Sequence, residues 1–232
     1  MKNFTLKELS LFIVLLLAFS GSIFSQTTID SEDFETGGFD FTYWNTGGVD
    51  CFLDANAVLS GVNSVNLQDD TGDTASMYSN DRDLTPYASV VITFDYRTSG
   101  FNPNHDFFIE FSNDSGTTWN ATPIAQYIQG TDFVNDITYI DESVTITNGA
   151  TYPFSNTSRF RFRCDAAKDA DDLYLDDISV VGILPSPEID ITGAGGSIID
   201  GDTSLSGDTD FGDVEVGFSA VKTYTITNTG TA

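Results

Sequence analysis

Short runs in which apolar and polar residues alternate follow one another along most of the chain. In residues 90–97, alternate positions from Val90 to Tyr96 are apolar, and the same period recurs in residues 107–112 and 159–164. A period of two places successive side chains on opposite faces of a strand. Each run is therefore predicted to be a β-strand that turns its apolar positions toward a core.

Further runs of this kind are separated by turns rich in Gly, Asn, Asp and Ser. They lie near residues 27–35, 50–54, 63–68, 75–79, 138–146 and 172–182. No amphipathic helical pattern is found after residue 25. About nine short strands divided by turn residues are typical of a β-sandwich. The sequence therefore predicts an all-β sandwich over residues 26–183.

The first 25 residues have the pattern of a targeting segment. Lys2 and Lys7 precede an apolar run at residues 11–19, and small residues continue to Ser25. The run is shorter than the roughly 20 apolar residues that span a bilayer as a helix. We predict that residues 1–25 are a cleaved secretory signal peptide. The mature chain is then expected to be secreted, extracellular or at the cell surface, without membrane insertion.

A proline-containing stretch after residue 183 predicts a linker. Pro185 and Pro187 lie there, and strand-like runs follow at residues 188–191 and 221–228. A region of about 45 residues rarely buries a core of its own. Residues 184–232 are therefore predicted to be a linker and a truncated β-domain.

Acidic residues dominate the charge of the chain. Nine Lys and Arg stand against 35 Asp and Glu, which gives a net charge of −26. Binding to nucleic acid rests on cationic side chains that neutralise phosphates, so a nucleic-acid partner is excluded. The charge favours cations, although solubility of a secreted protein alone would explain most of it.

Only two cysteines occur, Cys51 and Cys164. In an oxidising compartment such a pair is more often bridged than free. Closure of a loop this long would stabilise the fold by about 4 kcal/mol in the chain-entropy model. We predict a Cys51–Cys164 disulfide.

Paired carboxylates interrupt the predicted last strand of the sandwich. Leu175 and Ile178 are both apolar and are expected on the inner face of the strand, but strict alternation would place them on opposite faces. A β-bulge at Asp176 and Asp177 adds one residue to the strand and would bring both side chains to the inner face. Calcium prefers six to eight oxygen ligands, carboxylates among them. Glu35, after the first strand, is expected to join Asp176 and Asp177 around a structural calcium ion. The simpler interpretation is that the aspartates are solvated residues at a strand end.

Residues 112–119 match a Ser-x-Asp-x-Gly-x-Thr-Trp pattern. Asp114 and Gly116 supply turn chemistry, and Trp119 is predicted to fold back onto the hairpin. The pattern occurs once, whereas propellers repeat it at blade spacing, so it predicts a structural hairpin. Four aromatic residues are candidate surfaces for sugar stacking: Tyr43, Trp44, Trp119 and Tyr174. Trp44 follows Phe39 and Phe41 in a segment at the edge of the predicted core, so it is expected to be buried.

Three arginines share one face of a predicted strand, at Arg159, Arg161 and Arg163. They would either bind acidic sugars bidentately or pair with acids on neighbouring strands, such as Glu110 or Asp95. In so acidic a chain the pairing interpretation is favoured.

Catalytic chemistry has little support in the sequence. The chain has one histidine, His105, and no serine or cysteine motif that would pair with it. Nucleophilic catalysis needs a convergent nucleophile, base and orienting group. The chain is predicted not to be an enzyme.

Four segments together carry a resemblance: Asp-Phe-Glu-Thr-Gly at 33–37, residues 132–136, Arg-Phe-Arg-Cys-Asp-Ala at 161–166 and Leu-Tyr-Leu-Asp-Asp-Ile at 173–178. The region resembles jelly-roll modules of secreted bacterial proteins, similar to carbohydrate-binding and MAM-like domains. In those families the Glu and an Asp of the pair hold a structural calcium. Residues 187–232 resemble the start of a choice-of-anchor D domain, which has a Hydin-like immunoglobulin fold.

The resemblance implies a jelly-roll β-sandwich followed by a partial immunoglobulin-like β-domain. The function expected from it is that of a non-catalytic, calcium-stabilised adhesion or binding module for an extracellular glycan or cell-surface polymer. The alternative is a structural spacer or accessory region of a larger secreted hydrolase, a glycosidase or peptidase. The identity of the ligand and its binding residues are not predicted.

Overall fold

The computed structural model describes residues 25–35, 43–55, 59–68, 72–186, 189–193, 196–198, 211 and 213–228. Regular structure in these residues consists of β-strands and one short 3-10 turn, Gly72–Ala75. The all-β prediction is confirmed. The predicted signal peptide lies outside the described residues, apart from Ser25.

Eleven strands form two antiparallel sheets. The first sheet contains β1 (Gln26–Glu32), β3 (Cys51–Asp54), β4 (Ser64–Gln68), β6 (Ser89–Ser99), β9 (Thr138–Thr147) and β11 (Asp172–Ile183). The second contains β2 (Trp44–Thr46), β5 (Ser76–Ser79), β7 (Asp106–Ser112), β8 (Ala125–Ile128) and β10 (Arg159–Asp165).

The strand pairs are nested in sequence, and this nesting defines a jelly roll. β7 pairs with β8, β6 with β9, β5 with β10, and β4 with β11. Successive pairs alternate between the two sheets. One long hairpin of eight strands is therefore wrapped into two facing sheets, which is the arrangement of a jelly roll. β1 and β3 extend the first sheet, and β2 extends the second.

Aromatic side chains fill the space between the sheets. Phe162 on β10 meets Phe94 on β6 with ring centroids 5.1 Å apart, and Trp44 on β2 lies 5.7 Å from Phe162. All three rings are buried. The alternation predicted for these strands is confirmed, because the apolar positions of β6, β7 and β10 belong to one buried cluster.

The structure contradicts the predicted disulfide between the two cysteines. Cys51 on β3 and Cys164 on β10 belong to different sheets, and both thiols are free and buried. Burial raises the pKa of Cys51 to about 12, and it raises the pKa of Cys164 as well. Thiolates are the reactive form of cysteine, so the core keeps both residues in the unreactive form and uses them as small apolar side chains.

A third antiparallel sheet lies in the C-terminal part. It consists of β12 (Ile189–Gly193), β13 (Gly196–Ile198) and β14 (Thr225–Asn228), with β12 in the centre. β12 and β14 correspond to the strand-like runs of the sequence, and β13 was not predicted. Throughout the described residues no helix is long and apolar enough to cross a membrane.

Candidate functional site

The outer face of the second sheet carries the arginines of β10. Since Phe160, Phe162 and Cys164 point into the core, the intervening arginines face outward. Arg161 lies between Tyr78 on β5 and Glu110 on β7 in the strand register. The strand pairing therefore brings an aromatic ring, a guanidinium and a carboxylate into one row across the sheet.

Each arginine of this face contacts a carboxylate. Arg161 Nε donates to Glu110 Oε2 at 2.6 Å, and Arg163 Nε lies 3.4 Å from the other oxygen of Glu110. Arg159 Nε donates to Asp81 Oδ1 at 2.5 Å. The predicted pairing with Glu110 is confirmed. The predicted pairing with Asp95 is wrong, because Asp95 lies on β6 in the first sheet, where it accepts a hydrogen bond from the Asp141 amide.

Aromatic rings flank these guanidinium groups. Arg161 Cζ lies 4.2 Å from the centroid of the Trp119 ring, and Arg159 Cζ lies 5.7 Å from that of Tyr78. A cation within about 6 Å of a ring centroid is attracted by the ring quadrupole. The contacts hold the arginines and the rings in fixed relative positions on an accessible face.

The hairpin at residues 112–119 positions Trp119. Asp114 accepts hydrogen bonds from the Ser112 hydroxyl and from both the amide and the hydroxyl of Thr118. Hydrogen bonds to the ionised form lower the pKa of Asp114 to about 2. The predicted structural hairpin is confirmed, and it also supplies one wall of a pocket.

That pocket has a volume of about 220 Å³. Its lining comprises Gly47, Ser76, Tyr78, Gly116, Trp119, Arg159 and Arg161. Gly116 has a φ of +76°, and a Cβ there would lie 3.4 Å from Trp119 Cζ2 and 3.5 Å from Arg159 Cδ. A side chain at position 116 would therefore be strained by the positive φ and would lie in van der Waals contact with the ring and the arginine.

Of the four aromatic residues proposed for sugar stacking, Trp119 is the one that lines the pocket. Trp44 and Tyr174 are buried, as expected for Trp44, and Tyr43 is half-buried beside Arg82. Tyr78 was not predicted. Its signal in the sequence is the alternation of β5, where buried Met77 directs its neighbour Tyr78 outward.

The predicted calcium ligands lie at the opposite sheet. Glu35 accepts hydrogen bonds from the amides of Val62 and Asn63, and Asp176 accepts them from the Ser60 amide and the Ser64 hydroxyl. The structure thus brings both carboxylates to one loop, residues 59–64. Burial raises the pKa of Asp176, because desolvation disfavours its charged form.

Asp177 is placed differently. The register of β11 with β6 shifts between Asp176 and Ser179, and Asp177 has a φ of 47°. The predicted β-bulge is confirmed. It keeps Asp176 buried but leaves Asp177 exposed. In the described part of the chain, no group of three or more His, Cys, Asp or Glu side chains converges as a metal site.

No protein family matches the chain, and no curated protein matches it in sequence. The CBM22-1–GH10 modules of endo-1,4-beta-D-xylanase 10B from Clostridium thermocellum superpose with a TM-score of 0.46 and 16% identity, over 66% of this chain and 28% of that chain.

Two single modules are also similar to this chain in structure. The C-terminal family 22 carbohydrate binding module of that xylanase has a TM-score of 0.46 and 11% identity, covering 66% of this chain and 92% of the module. The K3 adhesin domain of Lys-gingipain from Porphyromonas gingivalis has a TM-score of 0.45 and 14% identity, covering 68% of this chain and 99% of the domain.

Proposed function

We propose that the jelly-roll sandwich is a non-catalytic glycan-binding module and that the pocket between Tyr78 and Trp119 is its ligand site. The observation that carries the proposal is the pairing of two aromatic rings with two arginines in one accessible pocket. Binding pockets typically combine apolar and aromatic walls with a few placed polar groups. A sugar ring presents apolar C–H faces to such walls and hydroxyl groups to such polar groups.

We further propose that the module acts outside the cell, where its partner is an extracellular glycan or cell-surface polymer and its role is adhesion. The signal-peptide pattern at residues 1–25 supports export. The three-stranded sheet formed by β12, β13 and β14 is consistent with the start of a choice-of-anchor D domain of immunoglobulin type. Such a domain would link the glycan-binding module to the rest of a surface protein.

A glycan panel tests the proposed function. The full chain is expected to bind one or more polysaccharides saturably. Trp119→Ala is expected to weaken that binding about tenfold, because the ligand loses an aromatic stacking surface, and a ring on which a nucleic-acid base stacks contributes about 1–3 kcal/mol. Phe52→Ala is the matched control, since Phe52 is 37% exposed and lies on the first sheet. Absence of saturable binding across the panel would reject the function.

We also propose that a structural calcium ion binds beside the loop at residues 59–64. Glu35 and Asp176 would hold it, with Asp177 as the third ligand expected from the sequence. Carboxylate oxygens suit calcium, and a buried carboxylate such as Asp176 gains most from a neighbouring cation. The ion would supply charge neutralisation only, while Glu35 and Asp176 position the loop.

A further inference from the structure

The three arginines of β10 differ in how far their guanidinium groups are already engaged. The Arg161 side chain is 8% exposed, donates to Glu110 and packs on Trp119. Arg163 contacts both Glu110 and Asp165. The Arg159 side chain is 23% exposed and uses only Nε, which bonds Asp81. Within the described part of the chain, its two terminal nitrogens make no hydrogen bond.

These terminal nitrogens lie at the pocket. Arg159 Nη1 is 3.6 Å from the point that a Cβ of Gly116 would occupy, and the guanidinium lies over the Tyr78 ring. A guanidinium carries five N–H donors in a fixed fork. With Nε held by Asp81, the edge formed by Nη1 and Nη2 remains, and two parallel donors of this kind match the two oxygens of a carboxylate.

We propose that the pocket binds a uronate unit of a glycan, with the sugar carboxylate on the Nη1–Nη2 edge of Arg159. This inference rests on the proposed function and names the chemical class of its ligand. Ligand pockets for drug-sized molecules run from about 300 to 1,000 Å³, so a pocket of about 220 Å³ suits about one or two sugar units. The pyranose ring would lie against Tyr78 or Trp119.

The net charge restricts the ligand further. At −26, the chain repels a polymer that carries a carboxylate on every unit, because long-range repulsion acts on its total charge. Asp81 also offsets the charge of Arg159, so the contact depends on hydrogen-bond geometry more than on net attraction. The ligand class is therefore a largely neutral polysaccharide with isolated uronate units.

The test compares two probes that differ at one carbon. One is a neutral oligosaccharide bearing a single glucuronate, and the other is the same compound with its carboxylate reduced to a primary alcohol. Titration calorimetry on the full chain is expected to give about tenfold tighter binding of the acidic probe, the size of one charge-assisted hydrogen bond. Arg159→Gln is expected to bind both probes equally. Arg97→Gln, which removes an arginine paired with Asp136 on the first sheet, is expected to keep the preference.

Arg159→Lys separates geometry from charge and provides a second variant if Arg159→Gln fails to fold. It keeps the cation but lacks the two-nitrogen edge, so most of the preference is expected to disappear. Equal affinity of the unmodified chain for both probes, or a preference retained in both variants, would overturn the uronate assignment while leaving glycan binding intact. Failure to bind either probe also overturns the assignment, and the glycan panel then decides whether the proposed function fails with it.

Discussion

Asp114 shows how one carboxylate organises a turn. Its oxygens accept three hydrogen bonds, two from Thr118 and one from Ser112, and these bonds fix the hairpin that carries Trp119. The carboxylate is the acceptor in every case, so the turn depends on its ionised form. The hairpin and the pocket wall therefore share one pH-sensitive residue.

The pH dependence of this turn follows from the direction of the shift. The pKa of Asp114 is lowered to about 2 from 3.8, so its contribution to stability is fully present above about pH 4 and is lost as the pH falls through about 2. Asp114→Asn is expected to lower the melting temperature at pH 7, and the difference from the unmodified chain is expected to shrink below pH 4. Thermal unfolding at a series of pH values checks this. A difference that stays constant down to pH 2 would contradict it.

Single residues could be predicted correctly where a few neighbouring residues in the sequence determine their structure. The turn at Asp114, the buried Trp44 and the bulge beside Asp176 all follow from short patterns. The contribution of Tyr78 to the pocket was missed, because it depends on β5 lying next to β10. The free state of Cys51 was missed for a similar reason, since the sheet that contains Cys51 is set by the pairing of β3 with β4.

At the scale of elements, β10 contributes to both the core and the pocket. It lies between β5 and β7; its outward residues Arg159 and Arg161 line the pocket, while its inward residues belong to the core. Phe162 contacts Phe94 across the sandwich and Trp44 within it. One strand thus links the stability of the core to the geometry of the proposed ligand site.

Removing the central ring of this strand is expected to be costly. Phe162→Ala should lower the free energy of unfolding by about 3–5 kcal/mol, because a buried aromatic side chain is replaced by a cavity. Phe52→Ala is the control and should cost about 1 kcal/mol or less, since Phe52 is partly exposed. Denaturant unfolding followed by tryptophan fluorescence measures both. Equal losses of unfolding free energy for the two variants would contradict the prediction that the buried Phe162 ring stabilises the core more than the partly exposed Phe52 ring does.

The predicted strands of the sandwich correspond to nine of its eleven observed strands. The two that were missed, β2 and β8, have three and four residues. Three residues show too few alternations to be recognised, and β8 lacks a strict alternation of buried and exposed positions. Each of the two strands pairs with a longer neighbour, β2 with β5 and β8 with β7. The assignment of Asp95 to the arginine face failed because alternation fixes a face of a strand but not the sheet to which the strand belongs.

At the scale of the whole molecule, the proposed calcium ion would join distant parts of the chain. Glu35 follows β1, Asp176 lies in β11, and both contact the loop at residues 59–64. The ion would therefore restrain the beginning and the end of the sandwich together. A ligand that binds only the folded state raises its stability.

Thermal unfolding of the full chain with calcium and with excess chelator tests this proposal. Saturating calcium at about 100 times its Kd should stabilise the fold by about 2.7 kcal/mol, which raises the melting temperature by several degrees. The double variant Asp176→Ala/Asp177→Ala should lose this response, whereas Asp169→Ala, at an exposed acidic residue, should keep it. Identical melting temperatures with calcium and chelator in the unmodified chain would reject the ion.

The ends of the sandwich lie side by side, because Gln26 at the start of β1 pairs with Ile183 at the end of β11. A tension applied to the two ends therefore acts across this antiparallel pair and opens it one hydrogen-bonded step at a time, rather than sliding all of its bonds at once. β1 would peel away first, while β11 stays paired with β4 and β6 on either side. Under load the module yields at its entry strand, and the second sheet, which carries the pocket, lies outside the line of force.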